Sequence, residues 1–219
     1  MKPITVAYLG LLDSDRATGT RRAEEHLTRL AQAVAARSGY GWTIEIISAG
    51  LEAATHSVSA GVLRTILPIV GKPRTPWDAV SWRLPEALAR ADLVHLHDGF
   101  SRLGEAALLI AKQSHQPICI TEYGLNGHWL SSELGLTELA DVVICHCPAL
   151  AGRLQSTRPV EVVPAKFDVA ALGLPAAWPS PNCLPLRAEQ PANYDYHAAG
   201  AGLYAIYQRL LNQTMEMAA

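Results

Sequence analysis

ADLVHLHDGFSRLGEAALLIAKQSHQPICIT, residues 91–121, reads as a strand, a helix and a second strand in immediate succession. Leu93–Leu96 is a short apolar run, Leu103–Gln113 carries the next helix, and Ile118–Thr121 is again apolar and β-branched. Two buried strands joined by a helix make a right-handed crossover, which belongs to a parallel sheet covered on both faces.

The same alternation extends in both directions. Ile4–Leu9 ends at Gly10 and reads as a buried strand. After the polar loop Leu11–Thr18, a helix is expected from about Thr20 to Arg37, with Ala23, Leu27, Leu30, Ala31 and Val34 in one stripe and with Gly39 and Gly41 ending it. Strands follow at Thr43–Ser48 and Val62–Leu67, and Pro85 opens a short helix through Arg90. Downstream, Val142–Cys145 and Val160–Val163 are strands, and helices are expected around Ser131–Leu139 and Ala149–Leu154. The expectation is an α/β, Rossmann-like, doubly wound and mainly parallel sheet of about seven strands with helices on both faces. Gly173–Tyr196 holds Pro175, Pro179, Pro181, Pro185 and Pro191, so it reads as a crossover or tether. The tail helix, His197 to Asn212, groups Leu203, Ile206, Tyr207, Leu210 and Leu211 on one face, and a lone helix of that length needs a surface to dock on. The division is 1–172 for the sheet domain, 173–196 for the proline-rich crossover and 197–219 for a helix docking back on the sheet.

Composition narrows the function. The chain has 219 residues, 49% of them hydrophobic and 17% charged, with net charge −2. With no basic run, nucleic-acid binding by an electrostatic stripe is not expected. The apolar run after Met1 is too short for a signal peptide, and no stretch approaches the ~20 apolar residues of a transmembrane segment, so a cytoplasmic location is expected. Cys119, Cys145, Cys147 and Cys183 then read as free thiols.

Three polar groups stand where ligands of such sheets bind, beyond the carboxyl ends of strands. Gly19-Thr20, with Arg21 and Arg22 behind, opens the first helix and offers backbone N–H groups to a phosphate or other anion; the alternative is a plain strand–helix turn. His95, His97 and Asp98 end a strand, with both histidines on one face. They and Cys145-His146-Cys147 have metal-ligand chemistry but no recognisable spacing, and no metal is expected. Glu122, Tyr123 and His128 form an acid/base group at the end of another strand, with Asn126 between them. The glycine fingerprint of nicotinamide enzymes and the nucleophile elbow of serine hydrolases are both absent.

In order, these segments resemble the acceptor-side, N-terminal domain of a GT-B fold, family-four glycosyltransferase. "AEEHLTRLAQAVAAR" after Gly19 resembles that family's first helix, and "ADLVHLHDGF" (91–100) its D-V-V-H-x-H strand. "QPICITEYG" (116–124), "LADVVICHCPALAGRL" (139–154) and "VEVVPAKFD" (160–168) resemble its next three motifs, and "YHAAGAGLYAIYQRLL" (196–211) resembles its terminal helix. The resemblance implies a donor-phosphate loop at Gly19, a cleft lined by His97 and Asp98, Tyr123 beside the acceptor where the family has histidine, and Lys166 in the hinge motif. It also implies acceptor contacts from Asn126, His128 and Lys166. The family's donor-binding glutamate pair occurs nowhere, and the donor domain is replaced by the proline-rich segment. A nucleotide-sugar is then a ligand only with a partner domain.

Three functions stay open on these residues. One is a non-catalytic subunit or acceptor-binding domain that is not a self-sufficient glycosyltransferase. Another is half of a split glycosyltransferase completed by a separate donor-domain chain. The last is a repurposed small-molecule enzyme using Glu122, Tyr123, His97 and His128. A homodimer or heteromeric partner covering the cleft face is expected in the first two.

Overall fold

The computed structural model describes residues 3–9, 18–74, 78–97, 101–122, 136–145, 151, 158–163 and 195–218. In chain order the elements are β1 (Ile4–Leu9), α1 (Thr18–Arg37), β2 (Trp42–Gly50), β3 (Ala54–Ser59), β4 (Val62–Pro68), α2 (Leu84–Leu88), β5 (Leu93–His97), α3 (Arg102–Gln113), β6 (Ile118–Glu122), a 3₁₀ turn at Leu136–Leu139, β7 (Val142–Cys145), β8 (Val160–Val162) and α4 (Tyr196–Ala218). Of the helix expected near 131–139 only Leu136–Leu139 is described, as a 3₁₀ turn, and of the one near 149–154 only Ala151 is described, as helical. The proline-rich segment, Cys147 and Cys183 lie outside the described residues.

The strands form one sheet in the order β3-β4-β2-β1-β5-β6-β7-β8. Every pairing is parallel except β3 with β4. The chain winds outward from β1 through β2 to β4, then returns to lay β5 on the other side of β1. The reversal of strand order between β1 and β5 is the switch point where ligands of such sheets collect.

One strand more than expected is present. β3 is a polar edge strand, exposed along almost its whole length, so no hydrophobic pattern announces it. It forms because Ala60-Gly61 turns the chain tightly enough for Ser59 to pair with Val62. Gly61 has φ +71, and a Cβ there would stand 3.0 Å from the Ala35 Cβ and the Trp42 carbonyl oxygen, so glycine is required twice over.

The motif Ala-Asp before an apolar strand occurs twice, and both copies do the same work. Asp92 accepts the Thr5 N–H on its carboxylate at 2.8 Å, while its own N–H donates to the Thr5 carbonyl at 2.7 Å. Asp141 repeats this on Ile118, at 2.8 and 2.9 Å. Each aspartate bonds the neighbouring strand at the entry to the sheet and sets its register. A one-residue slip would turn every side chain of the strand to the wrong face.

The sheet separates two apolar cores. On one face Val6, Ile44, Leu93, Val142 and Ile144 pack beneath α1 and α4; on the other Ala7, Ile47, Val94, Leu96, Ile118 and Ile120 pack beneath α2 and α3. Leu27, Leu30, Ala31 and Val34 of α1 are buried as their spacing predicts. In α4, Ala199, Leu203, Ile206, Tyr207 and Leu210 are buried and Leu211 is partly so. Full burial of a Leu or Ile side chain stabilises by roughly 1.5–3 kcal/mol, which answers how a tail helix holds its place. Gly200 sets the distance: a Cβ there would lie 2.6 Å from the Ala33 Cβ and 2.9 Å from the Ala33 carbonyl carbon. No helix among the described residues is long and apolar enough to cross a membrane.

Candidate functional site

Strand alternation brings His95 and His97 to one face of β5, with ring centroids 3.9 Å apart. Tyr8, in register with His95 on neighbouring β1, packs edge-on against His95 at 5.3 Å and tilted against His97 at 4.6 Å. Thr121 of β6 and Tyr207 of α4 close the group. All five residues are buried. They lie at the switch point, against the α1–α4 face.

Hydrogen bonds give this cluster a direction. The Tyr207 hydroxyl donates to the Tyr8 oxygen at 2.9 Å. A phenol has one proton, so the 2.5 Å contact between Tyr207 and His95 Nδ1 has the imidazole as donor. His95 Nε2 is then the acceptor, and the Thr121 hydroxyl, 2.6 Å away, donates to it. Both ring nitrogens of His95 are satisfied in the neutral Nδ1–H form. The cluster links four elements, and through Tyr207 it ties α4 to the centre of the sheet.

Glu122 has different surroundings. It shares parity with Ile118 and Ile120, so its side chain lies on the α2–α3 face, opposite Thr121 and the histidines. Its residue exposure is 4%, and its Oε2 is buried with no hydrogen-bond partner. Burial, with no nearby cation to oppose it, pushes the carboxyl up to about 7. The other buried glutamates are answered: Glu45 accepts from Thr65 at 2.6 Å and Arg90 at 2.9 Å, and Glu105 accepts from Arg102 at 3.0 Å.

The structure therefore divides the residues named from the sequence. His97 joins His95 and Tyr8, whereas Glu122 stands across the sheet from it. Gly19 and Thr20 fall inside the first turn of α1, which begins at Thr18, two residues earlier than expected. Asp98, Tyr123, Asn126, His128 and Lys166 lie outside the described residues. Among the described residues no three His, Cys, Asp or Glu side chains are grouped to hold a metal ion. Cys119 and Cys145 are buried free thiols, and burial raises the Cys119 thiol well above its ordinary value. Tyr8 and Tyr207 were not singled out as site residues. The available signal was a phenol inside otherwise aliphatic stretches, since a buried Tyr hydroxyl needs a partner.

This sheet, with its reversal between β1 and β5 and its polar groups at strand carboxyl ends, is a Rossmann-like α/β domain. Residues 23–170 match Glycosyltransferase Family 4, and the chain belongs to that family. No curated protein sequence is significantly similar to it. Among solved structures, a sucrose-phosphate synthase chain from Thermosynechococcus elongatus superposes with TM-score 0.52 at 12% identity, covering 94% of this chain and 98% of that one. MurG of Acinetobacter baumannii superposes with TM-score 0.46 at 13% identity over 73% of this chain and 46% of that one. A putative UDP-N-acetylglucosamine 2-epimerase of Listeria monocytogenes gives 0.45 at 15% identity over 69% and 42%. The chain thus spans less than half of the latter two structures.

Proposed function

We propose that this chain is the acceptor-side half of a GT-B glycosyltransferase architecture, acting as a non-catalytic subunit or acceptor-binding domain and not as a self-sufficient sugar transferase. The observation that carries this reading is the return from β8 to α4. Residues 164–194 are all that separate the last described residue of the sheet region from the α4 region. A second lobe of ordinary domain size needs at least about 50 residues, and usually 100 or more. Yet α4 docks on the sheet through Tyr207 and a full apolar stripe. The solved chain that is covered to 98% bears the numbers 27, 220, 406 and 426 in its name, which fit a chain spliced from two segments as proposed here.

Sugar transfer from a nucleotide donor needs preorganised groups that stabilise charge on the departing diphosphate. In this reading those groups belong to another chain or are dispensed with. The reading also assigns a partner, either a second copy or a heterologous chain, to the cleft face, and the free thiols suit a cytoplasmic setting. Light scattering on the purified chain at micromolar concentration, paired with co-purification from its native cell, tests this. A dimer, or recovery of a chain bearing a glutamate-pair donor motif, supports it. A clean monomer that brings down nothing counts against it.

A further inference from the structure

We infer that Glu122 is a ligand contact, a buried carboxyl that meets a hydroxyl group of an uncharged polyol or sugar at the carboxyl end of β6. The inference rests on the acceptor-side reading above and names the ligand chemistry of that site.

Three observations converge. Glu122 is the last residue of β6, a central strand of the sheet, two strands from the switch point, so it stands where the sheet opens to ligands. Its Oε2 is buried and unpartnered, whereas Glu45 and Glu105 each have an arginine. Among the described residues its same-face neighbours are apolar: Ile120 and Ile118 on its own strand and Cys145, its register partner on β7. A buried polar group left unmet costs about 1–3 kcal/mol and asks for an explanation, of which an arriving ligand is one.

The protonation state selects the ligand. Burial pushes the carboxyl up to about 7, so the acid holds its proton below neutral pH and keeps half of it at pH 7. A neutral carboxyl presents one O–H donor and acceptor lone pairs, which matches a hydroxyl that both accepts and donates. An anion such as phosphate would lose against the acceptor oxygens. An amine would ionise the acid and bury an ion pair, at a desolvation cost that an apolar setting makes high. A metal would need further ligands, and the described residues group none.

The test uses the full chain and Glu122→Gln, which keeps the shape and stays neutral. Infrared difference spectra between the two, from pH 5 to 9, should show one protonated carboxyl band lost with a midpoint near 7. Glycerol, myo-inositol and glucose, each raised toward molar concentration, should move that midpoint upward. Wild-type affinity for the polyol that moves it most should be constant below the midpoint and fall up to tenfold per pH unit above it, while Glu122→Gln binds without pH dependence. A midpoint in the ordinary carboxylate range overturns the inference. So does a midpoint unmoved by all three polyols, or one moved downward by glucosamine alone. Tight nucleotide-sugar binding by the chain would sink the half-transferase reading and leave these infrared results standing, so the two failures are separable.

Discussion

His95 and Glu122 are both buried polar residues on adjacent strands, yet their surroundings are opposites. His95 has a partner on each ring nitrogen, Tyr207 and Thr121, and is fully enclosed. Glu122 has none for its buried oxygen. A satisfied buried network specifies and rigidifies a fold; an unsatisfied group at the ligand end of a strand is the one left for something to arrive. The contrast separates the part of this domain that holds α4 from the part proposed to face a ligand.

Breaking the satisfied side should have the largest effect. Tyr207→Ala removes a buried ring and its hydrogen bonds to His95 Nδ1 and Tyr8, with an expected loss of about 3–5 kcal/mol in denaturant unfolding. Tyr207→Phe keeps the ring and removes the oxygen alone, so about 1–3 kcal/mol is expected. A loss in Tyr207→Phe as large as in Tyr207→Ala would mean that the network, not the packing, holds the helix.

On the unsatisfied side the effect depends on pH. The Glu122 carboxyl sits at about 7 in the fold against 4.5 as the ordinary value. A raised acid stabilises the fold fully below the lower value, and that contribution is lost as pH rises through the upper one. Between pH 5 and 8 wild-type stability should fall by up to about 3 kcal/mol from this group, and Glu122→Gln should lack that slope. Equal slopes in urea titrations of both proteins would break the comparison.

Smaller effects sharpen the geometry around α4 and the strand entries. Gly200→Ala drives a methyl into Ala33, and overpacking of that kind costs about 1–3 kcal/mol. The double variant Gly200→Ala with Ala33→Gly should recover part of it in thermal melts. Asp141→Asn keeps the size but weakens the bond to the Ile118 N–H, and a loss of about 1 kcal/mol is expected.

Much of the fold was legible because buried parallel strands and amphipathic helices write their periods into the chain. Ile4–Leu9 and the α1 stripe are examples. β3 was not legible, since its side chains face solvent and its existence rests on backbone bonds to β4 and on one glycine turn. The pairing of His95 with His97 followed from alternation within a strand. Their link to Tyr207 did not, because 112 residues separate it from His95 and only the docking of α4 brings it there. Nor could Glu122 be assigned to the face opposite His97 without the β5–β6 register, which places Thr121 beside His97 and turns Glu122 away.

The central claim, that this domain does not capture a sugar donor unaided, is tested most directly by titration calorimetry of the purified chain with UDP-, GDP- and ADP-hexoses. The account predicts no saturable heat from any of them until a donor-lobe partner is added. Saturable, micromolar or tighter binding of a nucleotide-sugar to the chain alone would contradict it.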